Sequence, residues 1–211
     1  MTRPEKFWNR MANRYSKSPV SDEATYQKKL KATQAYFKPD MELLELGCGT
    51  GSTAIVHAPF VKHIRATDFS SNMIEIAKSK TEAAGIDNIT YECASVETVT
   101  APDNSLDMVL ALSVLHLLPN KEEAIARVFR MLKPGGLFVT STVCIADFLK
   151  IFKYIGPIGR SIGLLPYIDV FTRIELDSSL SAAGFETELS WPREKKKSAF
   201  IILKKPEDTA Q

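Results

Sequence analysis

The chain has 211 residues, 45% of them apolar and 25% charged, which is enough for one substantial hydrophobic core and excludes a disordered or fibrous protein. A net charge of +2 makes no case for nucleic acid as the partner. Three cysteines, Cys48, Cys93 and Cys144, are odd in number and far apart, which argues for reduced thiols in a cytoplasmic setting and against a disulfide framework or a zinc cluster.

The opening Met1-Thr2-Arg3-Pro4-Glu5-Lys6 lacks the apolar stretch of a signal peptide, and no uncharged run approaches the roughly 18 residues of a spanning helix. Residues 1 to 38 hold nine Lys or Arg against three Asp or Glu, with Phe7, Trp8, Met11, Tyr15, Tyr26, Leu30 and Tyr36 interleaved. This segment reads as an N-terminal helical cap. Its aromatic face either closes over a ligand, with Tyr15 best placed to reach it, or packs the helices onto the domain that begins at residue 39.

From residue 39 to 211, short apolar runs alternate with helical periodicity, the mark of a parallel sheet covered on both faces. Strands are expected at Leu43 to Leu46, Ile64 to Thr67, Ile89 to Glu92, Met108 to Leu112 and Leu137 to Ser141. Helices are expected at Ser52 to Ala58 before Pro59, at Ser71 to Ala84 before Gly85, and at Lys121 to Leu132 before Pro134 and Gly135. An apolar insertion covers about 143–172. A helix at Arg173 to Ala183 and strands at Phe185 to Trp191 and Ser198 to Lys204 follow, the last two able to form a hairpin around the Lys-rich turn Arg193 to Lys197.

The chemistry concentrates at the end of the first strand. Leu43-Leu44-Glu45-Leu46 runs into Gly47-Cys48-Gly49-Thr50-Gly51, and alternate glycines let backbone turn sharply and approach a ligand. About 20 positions after this turn, where a dinucleotide-type fold places its ribose acceptor, stands Asp68. Asp68 can equally cap the helix that follows it. Ser52 occupies the position of the third glycine in the nicotinamide fingerprint, and Gly51 is not followed by the Lys of a phosphate-cradling loop. A ligand with a ribose and no phosphate fits this pattern better.

On Glu45 to Gly51, on Asp68-Phe69-Ser70 with Met73, on Pro102 to Asp107 and on Leu132-Lys133-Pro134-Gly135-Gly136, the chain resembles the class I S-adenosylmethionine-dependent methyltransferases. It is similar to their small-molecule branch, which includes the ubiquinone/menaquinone C-methyltransferases, from about Met41 to Lys204. The resemblance implies a doubly wound, Rossmann-like α/β sheet of about seven strands, mostly parallel with a C-terminal antiparallel hairpin, and S-adenosyl-L-methionine as cofactor. It implies Glu45 near the methionine amino group or sulfonium, Gly47, Cys48, Gly49 and Gly51 along the methionine and ribose, and Asp68 on the ribose. Counting back from Asp107, the family's adenine-binding acid falls on Ser95, a departure that shifts adenine recognition toward packing by Phe69, Met73 and Val96. Tyr15 and Leu112 complete the implied cofactor set. Cys48 is read as a small turn residue whose thiol the following helix could activate.

The implied reaction is in-line displacement by a small, hydrophobic or aromatic acceptor, with the 143–172 insertion as a lid and no metal. His116, in Ser113-Val114-Leu115-His116 after the fourth strand, is the candidate general base, against a structural or substrate-contacting role. The insertion's apolar content also suits a dimer contact or peripheral membrane contact, so both monomer and homodimer stay open. An RNA methyltransferase is disfavoured, because Ala111-Leu112-Ser113-Val114 replaces the Asn/Asp-Pro-Pro-aromatic turn of base methylation. A non-catalytic S-adenosylmethionine-binding module is a rival of a different class, and a nicotinamide oxidoreductase stands behind it.

Overall fold

The structure is a computed structural model that describes residues 3–149, 166–191 and 198–207. Most of the expected lid, and the Arg193 to Lys197 turn, lie outside the described residues. The chain divides into two compact units, Met1–Val99 and Thr100–Gln211.

The first unit begins with two helices, α1 (Arg3–Lys17) and α2 (Glu23–Gln34). Asp22 starts α2 by accepting the Thr25 N–H at 3.0 Å. Three parallel strands follow, β1 (Glu42–Leu46), β2 (His63–Asp68) and β3 (Ile89–Cys93), with α3 (Ser52–His57) and α4 (Ser71–Ala83) as their crossovers. Leu43 lies opposite Ile64 and Ile64 opposite Ile89, while Leu46 lies opposite Thr67 and Asp68 opposite Cys93. Leu43, Leu44, Ile64 and Ala66 are almost wholly buried, which explains why these strands read as apolar runs without alternation.

The second unit holds β4 (Leu106–Leu112), α5 (Lys121–Met131), β5 (Leu132–Thr142), α6 (Arg173–Ala182), β6 (Glu186–Ser190) and β7 (Ala199–Lys204). β4 and β5 are parallel, whereas β7 runs antiparallel to both β5 and β6. A full capping box starts α6, with Thr172 and Glu175 each binding the other's backbone N–H. The sheet order is β3-β2-β1-β4-β5-β7-β6, which is the expected doubly wound arrangement with its C-terminal hairpin. Among the described residues, no helix is long and apolar enough to cross a membrane.

One boundary differs from expectation by more than two residues. β5 starts at Leu132, five residues before the expected Leu137, because Lys133-Pro134-Gly135-Gly136 finds partners on both sides. Leu132 pairs with Leu106, the Gly135 N–H reaches Lys205 O at 2.9 Å, and the Lys205 N–H reaches Gly136 O at 2.9 Å. Pro and Gly signal a break locally, but tertiary pairing overrides that signal.

The last glycine of the loop after β1 is fixed by packing. Gly51 has φ +75°, and a Cβ there would stand 2.5 Å from the Tyr91 hydroxyl and 2.9 Å from Ala77 Cβ. Gly51→Ala is therefore expected to destabilise the protein by at least about 1 kcal/mol, through overpacking and backbone strain together. Urea unfolding checks this, and an unchanged midpoint would contradict the packing.

Candidate functional site

In the first unit the carboxyl ends of β1 and β2 carry the expected loop and acid, and one side chain joins them. Asp68 Oδ2 accepts the Gly49 N–H at 3.0 Å, and Asp68 Oδ1 accepts the Ser70 N–H at 2.8 Å. The carboxylate thus holds the glycine loop and the head of α4 in one frame. The Cys48 N–H adds a bond to Thr67 O at 2.9 Å. Asp68 does not cap α4. Ser70 does, its hydroxyl accepting the Met73 N–H at 3.2 Å. Gly47 and Gly49, at φ +64° and +55°, hold the left-handed conformations that let the loop turn back on itself.

Glu45 is the electrostatic centre of this cleft. It is 3% exposed, and its Oε2 is fully buried with no hydrogen-bond partner. Burial, reinforced by the Asp68 charge, raises its pKa from the ordinary 4.5 to about 8. Burial raises the Asp68 pKa too, against the pull of the Ser70 and Gly49 N–H groups. Two buried carboxylates side by side, one with an orphaned oxygen, form a site that gains from a cation. Cys48 is not activated as the loop position suggested. Burial and the neighbouring Glu45 and Asp68 push its thiol pKa upward, which suppresses the thiolate.

Helix α1 supplies the wall. Ser70 Oγ donates to Asn9 Oδ1 at 2.6 Å and Asn72 Nδ2 donates to Asn9 O at 3.1 Å, so α1 is pinned to the head of α4. Along α1 the Trp8 ring meets both Phe7 and Tyr15 edge-on. Tyr15 is 53% exposed, and its Cε1 lies 3.8 Å from the place a Cβ would take on Gly49. Burial, then the Asp68 and Glu45 charges, raise its hydroxyl pKa. Met73 and Val96 are buried and Phe69 is half-buried. The Ser95 hydroxyl lies 3.2 Å from Thr98 Oγ1, within the turn after β3.

Leu112 and His116 belong to the second unit. Leu112 ends β4 opposite Ser141, and His116 sits in the short turn Leu115–Leu117 with Nδ1 3.0 Å from Thr142 Oγ1. Burial lowers the His116 pKa to about 4, so its ring is neutral at ordinary pH. His57 packs edge-on against Phe37, and His63 Nε2 meets Thr90 Oγ1 at 2.9 Å.

Comparison with known proteins agrees with this fold. Residues 44–140 match the methyltransferase domain family. The demethylmenaquinone methyltransferase of Leptospira interrogans is 33% identical over 168 residues, covering 72% of this chain and 65% of that protein. The methyltransferase YcgJ of Bacillus subtilis is 28% identical over 102 residues, covering 48% of this chain and 40% of that protein. The chain therefore spans less than two thirds of the length of either relative. The solved YcgJ structure superimposes with a TM-score of 0.72 at 17% identity, covering 86% of this chain and 99% of that one. The [4+2]-cyclase SpnF gives 0.72 at 18% identity, covering 90% and 84%. The matched domain, these relatives and the shared fold together support a class I S-adenosylmethionine-dependent methyltransferase.

The residues present fit the cofactor of that family. Its sulfonium and amino group are cationic, and Glu45 Oε2 is a buried carboxyl oxygen without a partner. In this methyltransferase fold Asn9, Thr142 and the double role of Asp68 went unseen in the sequence, since each depends on a contact across 19 to 61 residues of chain. The Glu45 environment has a direct consequence. Its folded-state pKa of about 8 lies above the ordinary 4.5, so its protonated form favours folding below pH 4.5 and that contribution is lost as pH rises toward 8. Without cofactor, Glu45→Gln should therefore gain on the parent between pH 5 and pH 9 by on the order of a few kcal/mol in chemical denaturation. Parallel stability profiles would contradict the assignment.

Proposed function

We propose that the chain moves the methyl group of S-adenosylmethionine to a small, apolar or aromatic acceptor. The observation that carries this reading is the buried Glu45 carboxylate with an orphaned oxygen, set beside Asp68 at the ends of β1 and β2. Glu45 would hold the cationic methionine end, Asp68 the ribose hydroxyls, and the Gly47 to Gly51 backbone the stretch between. Met73, Phe69 and Val96 would pack the adenine, and Tyr15 would cover the cofactor from α1. When bound, the cofactor supplies a methyl group on a good leaving group, open to in-line attack by a nucleophile. The protein's part is alignment and exclusion of water, which is worth roughly 7 to 11 kcal/mol of a barrier.

The demethylmenaquinone methyltransferase relative supports an acceptor of the small aromatic kind. Phe148 and Leu149 support an apolar one, being exposed large side chains at the start of the expected lid. Asp68 keeps acceptor capacity after its two backbone bonds, because an ionised carboxylate offers about four lone-pair sites.

Calorimetric titration with S-adenosylmethionine is expected to give binding that Asp68→Ala weakens by about 10- to 100-fold, the loss of one or two charge-assisted hydrogen bonds. Circular dichroism shows whether the variant is folded, and Asp68→Asn, which keeps one acceptor oxygen, should fall between the two. Methyl-labelled cofactor incubated with lysate metabolites should label a small organic-soluble product. Equal affinity of parent and Asp68→Ala, or label confined to RNA, would overturn the proposal.

A further inference from the structure

Charge is shared unevenly along this chain. Residues 1 to 38 hold nine Lys or Arg against three Asp or Glu, whereas the remaining residues hold eighteen against twenty-two. A basic N-terminal segment ahead of an acidic remainder points to a polyanionic partner for that segment. The structure gathers much of this charge on α1. At 3.6 residues per turn, Lys6, Arg10, Arg14 and Lys17 fall within about a quarter of the helix circumference, and all four are exposed. Glu5, the one acid in the helix sequence, falls outside that stripe.

The side of α1 away from the stripe is the packed one, where Ala12 is 1% exposed and Asn9 is bonded to Ser70 and Asn72. Between the packed side and the stripe runs an apolar shoulder of Phe7, Met11 and Tyr15, spaced four residues apart so that each follows the last along the helix. The domain leaves this shoulder partly open. Phe7 and Met11 are only half-buried and Tyr15 is 53% exposed. The Arg10 guanidinium carbon stands 5.6 Å from the Phe7 ring centroid, where stripe and shoulder meet. Cations beside an aromatic shoulder on one helix match a bilayer surface, because the charges reach lipid phosphates while the shoulder enters the headgroup layer. RNA would match the cations, but its hydrated backbone offers no apolar layer to Phe7 and Met11.

We propose that α1 docks this protein on an anionic phospholipid bilayer, with Lys6, Arg10, Arg14 and Lys17 at the lipid phosphates and Phe7, Met11 and Tyr15 at the level of the headgroups. The helix keeps its seat on α4 while docked, since Asn9 and Ala12 lie on its other side. Each Lys or Arg near such a surface multiplies the affinity by about five, so the four of the stripe together give binding that a neutral bilayer does not. An apolar methyl acceptor concentrates in the same bilayer, and docking brings the chain to it. That substrate clause rests on the methyl-transfer reading, whereas the docking does not.

The test is co-sedimentation of the full chain with phosphatidylcholine vesicles, with and without about one third phosphatidylglycerol, at ~0.1 M salt, where charges are felt over ~10 Å. Binding is expected to require phosphatidylglycerol and to fade at ~1 M salt. The combined variant Lys6→Gln, Arg14→Gln, Lys17→Gln should weaken it on the order of 100-fold, whereas Lys195→Gln, Lys196→Gln, Lys197→Gln in the other basic segment should stay within about fivefold of the parent. Circular dichroism separates loss of fold from loss of charge, and Lys6→Arg with Lys17→Arg should bind as the parent does. In a Trp191→Phe background, lipid brominated close to the headgroup should quench the emission of Trp8, whose ring touches Phe7 and Tyr15. No preference for phosphatidylglycerol, equal binding by the α1 variant, loss confined to the 195–197 variant, unquenched Trp8, or binding of single-stranded RNA in place of vesicles would overturn the inference. Calorimetry with S-adenosylmethionine on the same samples separates the two readings: absent cofactor binding refutes methyl transfer, and the vesicle result judges docking independently.

Discussion

The first unit turns on one carboxylate. Asp68 spends an oxygen on the glycine loop and an oxygen on the head of α4, so the ends of β1 and β2 cannot separate without losing the bond to Gly49. Its charge also raises the pKa of Glu45, already displaced by burial, and both acids are disfavoured as anions until a positive group arrives. A ligand with a cationic centre and a diol answers both needs at once. In the proposed function, the cost of two buried acids in one cleft would be offset on binding a ligand of that description.

Around this frame the remaining parts fall into supporting roles. Asn9 ties α1 to Ser70 and Asn72, which makes the N-terminal helix part of the wall and brings Tyr15 against Gly49. Gly51 lets α3 and α4 approach where a methyl group would meet Tyr91 and Ala77. In the second unit, the paired Lys133-Pro134-Gly135-Gly136 segment lengthens β5, and Lys133 Nζ adds an ion pair to Asp107 Oδ1 at 2.7 Å. At the other end of that strand Thr142 meets His116.

Much of this was legible in the order of residues. The strand, glycine turn, helix and following acid were readable because each is local chemistry at a fixed spacing, and the C-terminal hairpin because two apolar runs flank a charged turn. The start of β5 was not, since pairing with Leu106 and Lys205 rescues a Pro-Gly-Gly run that reads as a break. Asp68 had two sequence readings, ribose acceptor or helix cap. The structure gives the cap to Ser70 and adds the bond to Gly49, which no spacing rule announces. Glu45 was visible as an acid at a strand end, but its orphaned oxygen depends on burial, which its place in the sequence does not announce. The contact of His116 with Thr142 likewise joins residues 26 positions apart.

The central claim is that Glu45 gives up its proton to receive a cationic cofactor. Calorimetry of S-adenosylmethionine binding at pH 6.5, repeated in buffers of different ionisation enthalpy, counts the protons released. The account predicts release approaching one proton per cofactor bound in the parent and none in Glu45→Gln, because a carboxyl with a pKa of about 8 is protonated before binding and ionised after it. Binding without proton release in the parent, or equal release in both proteins, would contradict it.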